Sequence, residues 1–112
     1  MNEILHTLQT TIENAKAEHV FTAAVPSTWI GVDYVLICSA LSTIHLKAIY
    51  HRLYRACREQ HLAVQNPHKS SMRDPDWLYL IASDSNVVVL VHMMLQDTRI
   101  KYDIDTLVSA QV

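Results

Sequence analysis

Asp103-Ile104-Asp105 places two carboxylates one residue apart near the C-terminus. On a strand, such a pair points the same way and can hold a divalent cation through oxygen. The run around it does not read as a strand, so a solvated acidic turn or a contact with a basic partner is the plainer account. The seven histidines also invite a metal. None forms an H-x-x-x-H pair, and His45 and His51, six apart, diverge around a helix. Cys38 lies in an apolar run that raises a thiol's pKa, and Cys57 lies on an apolar helix stripe. With no C-x-x-C between them, buried reduced thiols are expected. The single glycine, Gly31, leaves no room for a Walker loop or a dinucleotide fingerprint. No catalytic residue, metal or cofactor is expected.

Two surfaces carry more information. Lys47, His51, Arg55 and Arg58 follow at spacings of three and four, with Tyr50 and Tyr54 beside them. They form either a solvated helix face or an aromatic-basic docking surface, with RNA contact as a minor option. Further on, Trp77, Tyr79 and Ile81 share one face of a strand, and Leu78 and Leu80 share the other. On the next strand Leu90, His92 and Met94 alternate with Val89, Val91 and Met93. Of these two apolar faces one serves a core. The other, with Trp77, Tyr79, His92 and Met94, is either covered by helices or free for a partner.

The elements that position these residues follow from periodicity. Ile4, Leu5, Leu8, Ile12 and Ala15 predict an amphipathic helix over residues 3–15, capped by Asn2. His19 to Val25 reads as a strand ended by Pro26, and Trp29-Ile30 then looks exposed. Asp33 to Ser39 is a buried strand. Ser42 caps a helix running to about Gln60, with Leu41, Ile44, Ala48, Ile49, Leu53, Ala56 and Cys57 as its apolar stripe. His61 to Gln65 is a short strand broken by Asn66-Pro67, and His68 to Asp76 is a polar, mobile loop. Trp77 to Ile81 and Val87 to Met94 form a hairpin across Ala82–Asn86, and Asp97 to Leu107 is a last short helix or turn.

The expected fold is α/β (α+β), a single mixed sheet of about five strands with helices packed on it. Half of the 112 residues are hydrophobic and 18% are charged, which suits one folded domain over residues 1–112. A formal charge of -2 gives no global basic field for nucleic acid. The N-terminus lacks a signal-peptide pattern, and no apolar run approaches the ~20 residues of a membrane span. A cytoplasmic protein without a membrane partner is expected.

Several segments, in order, resemble the ribosomal silencing factor (RsfS, or Iojap) family. Lys16-Ala17-Glu18-His19-Val20 resembles its K-A-x-D-I, and Asp33-Tyr34-Val35-Leu36-Ile37-Cys38-Ser39 its D-Y-F-V-I-x-[ST]. Ser42 to Ile49 resembles S-x-x-H-V-K-A-I, and Val89-Leu90-Val91-His92 resembles V-V-V-H. Arg99, Tyr102, Asp103, Ile104, Asp105 and Leu107 resemble the closing R-x-x-Y-x-L-E-x-L. The resemblance spans residues 3–108. The chain departs from the pattern at Ala40-Leu41, where a glycine is usual, at Ala24 and Val108, and in a longer hairpin without the tight D-Y-G-D turn.

The resemblance implies a nucleotidyltransferase-like topology. Such enzymes open the relevant helix with Gly-Ser to hold a triphosphate, whereas Ser39-Ala40-Leu41-Ser42 has no glycine. It implies a non-enzymatic role instead: binding the large ribosomal subunit through its ribosomal protein numbered fourteen, with minor rRNA contact. Subunit joining is then blocked sterically and translation falls under nutrient limitation. The contacts so implied are Trp77, Tyr79, His92, Met94, Arg99, Tyr102, Asp103 and Asp105, with His45, Lys47 and Tyr50 in reserve. The alternatives are a residual nucleotide-binding, transferase-like protein and a homodimeric ribosome assembly factor.

Overall fold

The computed structural model describes residues 3–65 and 73–112. The predicted Asn2 cap, the Asn66-Pro67 break and residues 68–72 of the predicted loop lie outside them. Helix α1 (Glu3–Asn14) buries Ile4, Leu5, Leu8 and Ile12, the face its spacing predicts. Strand β1 (Glu18–Ala24) leads through a single helical turn, α2 (Ser27–Ile30), to β2 (Tyr34–Ala40). That turn was not predicted. It closes on Gly31, whose φ of 79° is left-handed and whose N–H donates to the Ser27 carbonyl at 3.0 Å. A side chain at Gly31 would meet open space but a strained backbone.

Helix α3 (Thr43–Glu59) starts where Ser42 predicts, the hydroxyl accepting from the His45 N–H at 3.1 Å. Its buried stripe corrects the expected one. Leu46, Ile49, Tyr50, Leu53 and Cys57 face inward, whereas Leu41 is 70% and Ile44 82% exposed, and Ala48 is exposed. Leu41 precedes the cap and Ile44 belongs to the first turn. Only the later residues, at steps of three and four from Leu46, meet the sheet.

Short β3 (Ala63–Gln65) then precedes β4 (Trp77–Ser83) and β5 (Val88–Leu95). Asp84 shapes the hairpin turn: its Oδ1 accepts from the N–H groups of Asn86 and Val87 at 2.7 and 2.8 Å. These bonds hold its carboxyl below the usual range. The expected closing helix is two short helices, α4 (Gln96–Tyr102) and α5 (Ile104–Ser109). They are kinked at Asp103, whose φ is 46°.

The five strands form one mixed sheet in the order β1-β2-β5-β4-β3. Only β2 and β5 are parallel; the other neighbours are antiparallel. This is the expected α+β plan. On one side α1 and α3 cover Leu36, Cys38, Leu78, Leu80, Val89, Val91 and Met93. Each large side chain buried there contributes about 1.5–3 kcal/mol. On the other side a smaller cluster gathers Val35, Ile37, Leu90 and Met94 under Val108 of α5, with Trp29, Trp77, Tyr79 and Ile81 at its margin. Cys38 and Cys57 are free and buried. Burial pushes their thiols up to about 12 and about 11, with the Arg99 charge opposing the rise at Cys38.

Candidate functional site

The second side of the sheet carries no long helix. Its β4–β5 half is built by cross-strand pairs, Trp77 against Met94, Tyr79 against His92 and Ile81 against Leu90. Strand alternation sends Leu78, Leu80 and Ala82 into the main core, so their neighbours must face outward. Trp77, Tyr79 and His92 stay half-buried. The Trp77 Nε1–H donates to His92 Nδ1 at 3.0 Å, and the ring centroids are 5.6 Å apart. Tyr79 lies 5.9 Å from His92, and Tyr102 of α4 reaches back to 5.2 Å from Trp77. Tyr102 remains 54% exposed, with Lys101 Nζ 5.4 Å from its ring centroid.

Accepting through Nδ1 requires a neutral His92 with its proton on Nε2. Burial favours the same state, pulling the pKa from 6.5 to about 4, with the Asp105 charge opposing. The result is an uncharged aromatic surface with polar tips.

Arg99 fixes the helices beside it. Its Nε and Nη2 donate to the two oxygens of Asp105 at 3.0 and 2.7 Å. Its Nη1 donates to the His19 carbonyl at 2.6 Å and to Ser39 Oγ at 2.9 Å. One guanidinium, 8% exposed, thus joins β1, the end of β2 and both C-terminal helices.

A match to a family model described as ribosomal silencing factor during starvation spans residues 1–111. The chain belongs to this family. Comparison with curated proteins gave no match. Among solved structures it is similar to a protein from Bacillus halodurans at 24% identity and a TM-score of 0.69, covering 94% of this chain and 92% of that one. It is also similar to a protein from Chromobacterium violaceum at 18% identity and a TM-score of 0.77, covering 97% and 88%. At such identities these likenesses show the fold alone.

Of the silencing-factor contacts expected from the sequence, Trp77, Tyr79, His92 and Tyr102 come together on one face. Asp103 is exposed at the kink beside them. Four others are not presented to a partner. Met94 is fully buried beneath the face, and Tyr50 is buried under α3 on the other side of the sheet. Arg99 and Asp105 spend their charges on each other. The reserve residues His45 and Lys47 lie on α3, and both are engaged. His45 Nδ1 accepts from the Leu41 N–H at 2.9 Å while Nε2 lies 2.8 Å from the Ala15 carbonyl, tying α1 to α3. Lys47 donates to the Arg73 carbonyl at 2.9 Å.

Sequence reasoning also missed residues. Ile100 and Leu107, on α4 and α5, are 66% and 55% exposed. Asp74-Pro75-Asp76 is a second pair of carboxylates one residue apart, readable in the sequence. Asp76 serves structure: its carboxylate accepts from the Thr98 hydroxyl at 3.1 Å, and its carbonyl accepts from the Leu95 N–H at 2.9 Å. Among the described residues no cluster of three or more His, Cys, Asp or Glu side chains could hold a metal ion, and no helix is long and apolar enough to cross a membrane.

Proposed function

We propose that this silencing factor docks on the large ribosomal subunit through the aromatic face of β4, β5 and α4, and thereby excludes the small subunit. The observation that carries the reading is the Tyr79–His92–Trp77–Tyr102 cluster on the half of the sheet that no long helix covers. Aromatic side chains that keep polar tips are the usual anchors of protein interfaces. The partner implied by the family is the large-subunit ribosomal protein numbered fourteen. Exposed Asp103 at the rim suits lysines or arginines there, steering association more than setting affinity. The mechanism is competition for a surface in the cytoplasm, and no bond is made or broken. The paired Arg99 and Asp105 favour this reading over nucleotide transfer, since both Asp105 oxygens already accept from a guanidinium.

Sedimentation with purified subunits tests it. The protein co-migrates with the large subunit and depletes joined ribosomes, and Trp77→Ala weakens both effects at least tenfold, as an interface anchor does. Protein left at the top of the gradient at micromolar concentration would overturn the proposal.

A further inference from the structure

We propose that the outward ridge of α3 binds RNA through its phosphodiester backbone, on the opposite side of the sheet from the aromatic face. The charge distribution points there. The chain holds nine lysines and arginines and eleven aspartates and glutamates. Helix α3 takes four of the nine, Lys47, Arg52, Arg55 and Arg58, and one of the eleven, Glu59. That leaves five basic residues against ten acidic ones for everything else. A weakly acidic protein is therefore polarised, and a polyanion is drawn to one face and repelled by the others.

Arg52, Arg55 and Arg58 are exposed and follow at steps of three, about 5–6 Å between Cβ atoms. The one salt bridge among the described residues is Arg99–Asp105, so none of these three is neutralised by a carboxylate there. Arg52 is steadied by donating to the Asn14 carbonyl at 3.0 Å, and Arg58 lies 6.0 Å over the Tyr54 ring. Arg55 and Arg58 line an open groove of about 540 Å³ with His51, Tyr54 and one carboxylate, Glu59, so the groove keeps a cationic excess. Planar guanidinium forks match phosphate oxygens two at a time, and an aromatic among them offers a stacking surface for a base. An acidic protein partner fits less well, because no exposed large aliphatic side chain lies among Arg52, Arg55 and Arg58 to anchor a protein interface; Ile44 stands about two turns or more away along the helix.

This surface does not depend on the docking proposal. Free RNA is the probe, so failure of one leaves the other standing. Fluorescence anisotropy with a labelled RNA hairpin is expected to give measurable binding at about 50 mM salt, weakening with a log–log slope of about −2 to −3, the value for three neutralised phosphates. The triple variant R52Q/R55Q/R58Q loses at least about tenfold in affinity, while the matching lysine triple keeps the slope. Circular dichroism on each variant separates loss of binding from loss of fold. Equal binding by the wild type and a folded glutamine triple, no binding at low salt, or tighter binding of polyglutamate than of RNA would each overturn the proposal.

Discussion

The two sides of the sheet are built on different principles. The side under α1 and α3 is closed by aliphatic side chains spaced three and four apart, and its buried residues touch one another rather than water. The other side is closed only in part, by Val108, Trp29 and the short α4, and is held in place by hydrogen bonds through Arg99. Apolar packing is non-directional and tolerates exchange of like for like. A bidentate guanidinium demands partners at fixed positions. The first side therefore sets stability, and the second sets the shape of the face proposed above to dock.

Removing a core residue is the strongest challenge to that division. Leu53, fully buried under α3, should lose about 2–5 kcal/mol on replacement by alanine, read from urea unfolding. Large-subunit binding should be unchanged at temperatures where the variant stays folded. Arg99→Met comes next. It leaves Asp105, Ser39 and the His19 carbonyl without their donor, a cost of about 2–3 kcal/mol after allowing for the part-exposed carboxylate. Its sharper consequence is loosened α4–α5 packing. Tyr102 should leave Trp77, seen as changed tryptophan fluorescence before any global unfolding. A variant with native fluorescence and native binding would erase the distinction between the sides.

The third prediction concerns pH. His92 has a folded pKa near 4 against 6.5 when unfolded. Between those values the unfolded chain binds more protons, so stability is complete above about 6.5 and falls as pH drops towards 4. His92→Gln should flatten that window in urea titrations, and an unchanged pH dependence would show that the ring is not the cause. The smallest effect is expected at Ile44→Thr, within about 0.5 kcal/mol despite the loss of a large apolar side chain, because the residue is already exposed.

Ile44 also shows where sequence reading stopped. Periodicity located α1, α3 and both strands of the hairpin, and Ser42 marked the start of α3 correctly. Alternation placed Trp77, Tyr79 and His92 on one face, since a period of two leaves no other choice. Hydrophobicity alone starts the α3 stripe too early, at Leu41 and Ile44, because it does not say which turn meets the sheet. The stripe's true members are legible: Leu46, Ile49, Tyr50, Leu53 and Cys57 step by three and four, a spacing that puts Tyr50 inside rather than beside Lys47 and His51 where the sequence reading sets it. The Arg99 clamp is not. Its partners stand sixty and eighty residues away in sequence at Ser39 and His19, and no local pattern reports such a distance.

The parallel pair at the centre of the sheet has a consequence for how the molecule is made. Tyr34 lies beside Val89 and Ala40 beside Leu95, so β2 has no neighbour on its inner edge until the hairpin has been synthesised. A nascent chain that has reached the end of α3 exposes an apolar strand edge, an invitation to wrong pairing. Assembly must then wait for loop closure over about half the chain, which slows it relative to a helical protein of equal length. The centre of the sheet is thus completed only after β5 has left the ribosome that made it.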